Sequence, residues 1–181
     1  GFGGWIQDHQ IDCEPSCRFD WSIERSNLKA YDGVYALRGY LDGRNDDGTI
    51  WVERPFEATP NSVINYEISF YLWSESHSDV NTWPVVAYIG LRNPEQEGNF
   101  SIVGRTDEIA GWKRYSYKTQ LSTDSSGVVW IAFGFGATWE TPRTYFMDSA
   151  SMSMDSSVSA AVKPKATPFI RNLAVGLRGN D

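Results

Sequence analysis

Four carboxylates and a tryptophan fall within a dozen positions of LDGRNDDGTIWVERPF, residues 41–56: Asp42, Asp46, Asp47 and Glu53, with Trp51 among them. Carboxylates this dense bind calcium, work in pairs as acid and base, or rim a polar binding face. An EF-hand loop with Gly48 at its sixth place would put Asp47 and Asn45 at the fifth and third, but Gly43 at the first and Arg54 at the twelfth, so that pattern fails. An irregular calcium loop on Asp42, Asn45, Asp46 or Asp47 stays open, beside a plain turn whose Asn, Asp and Gly take left-handed conformations. Glycosidase chemistry needs two carboxyls facing across a cleft, about 5 to 10 Å apart. Glu53, Glu67 and Glu140 are of the right type, but nothing in their spacing selects a pair. His77, in SESHSD, and His9 have no nucleophile motif beside them, and G-x-S-x-G, H-E-x-x-H and a phosphate loop are absent. The sequence carries no enzyme signature, although fold alone never excludes an enzyme.

The elements that would position these groups are strands. Aromatic residues make up 14% of the 181-residue chain, and short alternating runs recur between Gly, Asn, Asp and Pro punctuation, which is an all-β pattern. Eight strands are predicted, over 19–25, 34–41, 49–56, 64–73, 84–91, 113–121, 128–136 and 144–154. That number at that spacing points to a two-sheet antiparallel β-sandwich of jelly-roll type. Helical periodicity and long repeats are missing, which removes helical and solenoid folds.

Alternation sorts the side chains, because successive residues of a strand face opposite ways. Tyr66, Ile68, Phe70 and Leu72 share an apolar face, as do Val129, Ile131, Phe133 and Phe135, with Ile50, Val52, Val85, Ala87 and Ile89 on matching faces. The opposite faces then carry Trp51, Glu53, Glu67, Tyr71, Trp73, Tyr88 and Trp130. Flat rings mixed with polar groups suit a glycan: the ring covers the apolar face of a pyranose and polar neighbours bond its hydroxyls. Packing of these rings under loops is the competing reading, since Trp is highly buried on average.

Several short stretches carry a resemblance: GGW at 3–5, AYDGVYALRG at 30–39, NYEISFYLW at 65–73, GWKRYSY at 111–117 and YFMDSASMSM at 145–154. In that order the chain, over 1–154, resembles secreted carbohydrate-binding modules of the jelly-roll, galactose-binding-like type. The resemblance implies a non-catalytic glycan-binding domain. It also implies a structural calcium near the chain ends, held by Asp32 and Gly33 at a turn and by Asp148 in the last strand. The Glu expected just after the first Phe is missing here, because Phe2 is followed by Gly3, and Gln7 or Asp8 would have to substitute.

After Asp155 the composition turns to SSVSAAVKPKATP, a linker pattern. The chain therefore divides into a sandwich over 1–155 and, over 156–181, a linker with an extended tail in which Leu173, Val175 and Leu177 alternate with Ala174 and Gly176. A strand on its own sheet is one reading of that tail. The other is pairing with a neighbouring copy's sheet edge, which would make a homo-oligomer or filament by donor-strand pairing.

With 16 basic against 23 acidic residues the net charge is −7, and no basic cluster interleaves with aromatics, so nucleic acid is not an expected partner. No apolar run approaches the roughly 18 to 20 residues of a membrane span. A start at Gly1 rather than Met suits a processed chain, and an extracellular or cell-surface location is expected. The two cysteines, Cys13 and Cys17 in CEPSC, cannot assemble four metal ligands locally; they form a local disulfide or remain free thiols, the former favoured outside the cell. Asn99 in NFS is a glycosylation sequon.

Overall fold

The structure, a computed structural model, describes residues 3–156 apart from Glu14, Arg18 and Glu140. Ten strands run through the described residues: β1 (Ile6–Gln10), β2 (Trp21–Ser26), β3 (Ala36–Asp42), β4 (Thr49–Glu57), β5 (Val63–Ser74), β6 (Pro84–Gly90), β7 (Ser101–Arg105), β8 (Gly111–Ser122), β9 (Val128–Gly136) and β10 (Pro142–Ser156). They form two five-stranded sheets. The front sheet has the order β1-β4-β9-β6-β7 and the back sheet β2-β3-β10-β5-β8, with every pairing antiparallel. This is the expected all-β, two-sheet sandwich. Residues 157–181, on which the tail reading falls, lie outside the described residues.

The core is what the alternation predicts. Ile50, Val52, Val85, Ala87, Val129, Ile131, Phe133 and Phe135 of the front sheet meet Tyr66, Ile68, Phe70, Leu72, Tyr145 and Met147 of the back sheet, all of them buried. Phe70 stacks on Phe133 across the sandwich at 4.4 Å between ring centroids. Each such ring removed from water contributes about 1.5 to 3 kcal/mol. The sheets approach closely at Gly39, where an added Cβ would lie 2.7 Å from the Phe135 ring.

Two strands are additional to the eight predicted. β1, IQDHQ, has one apolar residue, and Ile6 is exposed, so no alternation marks it. It forms because β4 offers an edge, with Asp8 opposite Trp51 and His9 opposite Ile50. β7 is only five residues and pairs with β6 through an irregular register at Val85 and Val86. In the long β10 the register with β5 shifts between Asp148 and Ser151, and Ser149 takes a left-handed φ of 51°. This bulge turns the end of the strand and frees the Asp148 side chain towards the 27–35 connection.

Candidate functional site

Strand register places Trp51, Glu53, Tyr88 and Trp130 together on the outer face of the front sheet. Trp51 and Val86 both lie opposite Gly134, Glu53 and Tyr88 both opposite Ala132, and Trp130 opposite Pro55 and Gly90. The small residues of β9 make a floor between taller walls. Gly134 is required there, since an added Cβ would come within 1.9 Å of the Ile50 carbonyl.

The face is not open. Trp51 is 0% exposed and Glu53 3%. The 91–100 connection between β6 and β7 folds over them: Glu97 N–H donates to Gln10 Oε1 at 2.5 Å, and Thr49 Oγ1 donates to Glu97 Oε2 at 3.1 Å. Tyr88 O–H donates to the Arg92 carbonyl at 2.8 Å. From this connection Phe100 packs on Trp51, 5.0 Å between centroids, and on Tyr88 at 5.9 Å. Beneath it the Trp51 indole N–H donates to Glu53 Oε2 at 2.9 Å. Burial raises the Glu53 carboxyl above its ordinary range, opposed by the hydrogen bonds from Trp51 and Asn93 and reinforced by the charge of Asp8.

Two grooves remain beside the connection. The first, about 530 Å³, is lined by Trp130 and Tyr88 with Leu91, Arg92, Asn93 and Gln96 around them. Trp130 is half-buried and lines the groove. The second, about 320 Å³, lies between Asp46, Asp47, Glu97, Phe100 and Thr138.

Glu67, Tyr71 and Trp73 are elsewhere. They lie on the outer face of the back sheet, where β5 pairs with β8 and β10. Tyr31 stacks on Tyr71 at 3.7 Å, Lys29 sits 4.3 Å over the Trp73 ring, and Glu67 lies between Arg114 and Lys118 at 3.6 and 3.1 Å. The single site expected from all seven residues is therefore corrected to two faces on opposite sides of the sandwich. Alternation tells inward from outward but does not tell which sheet a strand joins. Arg92, Asn93, Gln96 and Phe100 escape sequence reasoning because they lie in an irregular connection with no periodicity.

Asp32, Gly33 and Asp148 do meet. Asp148 Oδ2 accepts the N–H groups of Tyr31 at 2.7 Å and Asp32 at 3.1 Å, Oδ1 accepts that of Ser149 at 2.6 Å, and Asp32 Oδ1 accepts that of Gly33 at 2.9 Å. Calcium takes six to eight oxygens. Here the carboxylates are spent on backbone donors, and among the described residues no group of three or more His, Cys, Asp or Glu side chains is placed to hold a metal. Among the described residues, carboxylates alone therefore do not make a calcium cage here.

The acidic stretch at 41–56 forms a turn. Asp42 is buried and bonded to Arg44, Asp46 and Gly48 take positive φ of 54° and 108°, and Asp47 Oδ2 accepts the Cys13 N–H at 3.1 Å. Cys13 and Cys17 form a disulfide, their Cα atoms 5.5 Å apart.

No protein-family model matches the chain, and no curated protein matches it. Solved structures do. TmCBM61, in complex with β-1,4-galactotriose, superposes with a TM-score of 0.50 at 14% identity, over 84% of this chain and 89% of that one. The CBM22-1–GH10 modules of Clostridium thermocellum endo-1,4-β-D-xylanase 10B, complexed with xylohexaose, give 0.51 at 14% identity, over 88% of this chain and 28% of that one. The fold is that of β-sandwich carbohydrate-binding modules. At this identity the likeness speaks for architecture. Among the described residues no helix is long and apolar enough to cross a membrane.

Proposed function

We propose that this β-sandwich is a non-catalytic glycan-binding module of the cell surface or extracellular space, and that its sugar lies against Trp130 in the front-sheet groove. The observation that carries this reading is a half-buried indole, beside Tyr88, lining a groove with the polar residues Arg92, Asn93, Glu95, Gln96 and Asn99. A ring on Trp130 would cover a pyranose face while those donors and acceptors take its hydroxyls. Two proteins that share the fold were solved with oligosaccharides, β-1,4-galactotriose and xylohexaose, which makes these the first probes. Calorimetric titration with both, on the native chain and on Trp130→Ala, tests the reading. Binding of neither, or equal binding by Trp130→Ala, removes the proposed site.

A second reading is assembly. β8 is an edge strand of the back sheet, twelve residues long, and a neighbour's residues 167–179 would add a strand to it. Light scattering across a concentration series, comparing the whole chain with one ending at Asp155, decides it. A whole chain that stays monomeric ends the idea.

A further inference from the structure

A different cleft opens at the other end of β6 from Trp130. It is about 540 Å³ in volume, with Asp107, Arg143 and Tyr145 lining it and Glu75, Ser76 and His77 among its other walls. Asp107 is fixed there from all sides. Its φ is 58°, in the left-handed region, its N–H donates to Ser74 Oγ at 2.9 Å, and its carbonyl accepts the Ser78 N–H at 2.8 Å. A non-glycine residue held this way is strained and persists where its surroundings over-determine it.

The hydrogen bonds of this cluster are one-sided. Asp107 Oδ2 accepts from Thr106 Oγ1 at 3.0 Å, from Tyr145 O–H at 2.6 Å and from Arg143 Nη1 at 2.5 Å. Arg143 Nη1 also reaches the Asn81 carbonyl at 2.8 Å and the Tyr145 oxygen at 2.9 Å. Every contact ends on one carboxylate oxygen and one guanidinium nitrogen. Among the described residues no hydrogen-bond partner takes Oδ1 of Asp107, or Nε and Nη2 of Arg143. Pairs of guanidinium and carboxylate are frequently bidentate, with both groups' edges used. This pair is end-on, and its side chains are only 7% and 18% exposed. The unpartnered atoms of this pair are its solvent-facing ones, so the cleft presents them to a ligand.

We infer that the cleft is a second glycan site, taking one sugar ring through a vicinal diol, one hydroxyl accepting from Arg143 and its neighbour donating to Asp107. Each sugar hydroxyl is both donor and acceptor, which matches a free guanidinium edge beside a free carboxylate oxygen. Charge selects a neutral ligand. Asp107 cancels Arg143, and Glu75 on the wall leaves the cleft negative, which opposes a phosphate, a sulfate or a uronate. The guanidinium plane is itself seated 5.3 Å over the ring of buried Trp83, so its free edge holds its direction. The volume lies within the usual range for small-ligand pockets, roughly 300 to 1,000 Å³.

The site is independent of the Trp130 groove, and the experiment keeps the two apart. Amide chemical shifts are followed while D-galactose, D-xylose, D-glucose and, as the charged comparison, D-glucuronate are added to the native chain, to Trp130→Ala, to Ser76→Tyr and to Arg143→Lys. Ser76 is exposed on the wall, so a tyrosine there obstructs the cleft while every residue of the Asp107–Arg143 cluster is kept. Lysine keeps the charge of Arg143 but not its planar edge. The expected result is a cluster of shifts at residues 75–81, 106–108 and 143–145 with at least one neutral sugar, unchanged in Trp130→Ala and weakened by about tenfold or more, 1.4 kcal/mol, in Ser76→Tyr. Arg143→Lys gives the same weakening if it folds, and glucuronate binds less than glucose. No shifts at those residues in the native chain, or shifts that persist in Ser76→Tyr, overturn the assignment. Shifts confined to Tyr88–Asn99 and Trp130 would leave the groove standing and remove this site alone.

Discussion

Trp51 donates its indole N–H to Glu53, two residues further along the same strand, at 2.9 Å, and both side chains are buried on the face of the sheet that points away from the core. The outer face of the front sheet thus has a small interior of its own, roofed by the 91–100 connection. Trp51→Ala should accordingly destabilise the fold by about 3 to 5 kcal/mol, as for other large buried side chains. Urea unfolding followed by fluorescence measures it. A loss under 1 kcal/mol would mean that the roof does not seal the ring.

Glu53 supplies a pH signature. Burial holds its carboxyl above the ordinary value of 4.5, so the folded state keeps the proton to higher pH than the unfolded chain does. Stability from this group is therefore present at low pH and falls as pH climbs from the unfolded value through the raised folded one. Glu53→Gln, neutral throughout, should lack that slope. Unfolding midpoints compared from about pH 4 to about pH 8 test the point; parallel curves for the two proteins would dismiss it.

On the proposed site, Trp130→Ala should weaken oligosaccharide binding by about 2 kcal/mol or more, the scale of a well-packed aromatic anchor, and leave the melting temperature nearly unchanged. Tyr71→Ala and Trp73→Ala should leave binding alone, because those rings are on the other side of the molecule. Titration of all three variants against one oligosaccharide separates the faces. Loss of binding in Trp73→Ala with none in Trp130→Ala would move the site to the back sheet.

Calcium should have no effect on stability. The Asp148 carboxylate accepts three backbone N–H groups, of Tyr31, Asp32 and Ser149, and the first two of these pin the 27–35 connection to β10. Thermal melts with excess calcium and with a chelator should superimpose. Asp148→Asn, which loses a charge-assisted acceptor, should cost about 1.5 to 3 kcal/mol. A melting temperature that rises with calcium would contradict the reading of Asp148 as a backbone clamp.

The sequence reveals the sandwich because a strand buried on one face writes its own pattern. Ile68, Phe70 and Leu72 against Glu67, Ser69 and Tyr71 identify β5 without any structure. β1 has no such pattern, since its place is set by a partner 40 or so positions away rather than by its own side chains. The candidate site is only half legible for the same reason. That Trp51 and Trp130 point outward follows from alternation. That Phe100 lies on Trp51, and that Arg92 and Asn93 stand beside Trp130, depends on how an irregular ten-residue connection folds back, and no local rule encodes that. The turn at Asp46 and Gly48 was legible as one of two alternatives, because both residue types tolerate positive φ.

The 91–100 connection, lying across the middle of the front face, also sets a length scale. A glycan seated beside Trp130 meets a wall where an uncovered sheet would have offered further subsites, and the space left to it is about 530 Å³. Sugar units beyond the first few would extend into water and add no contacts. Lengthening the chain would then help only statistically, by multiplying the registers in which some short stretch can enter, so the module would tell one short sequence of sugars from another better than it tells a long polymer from a short one.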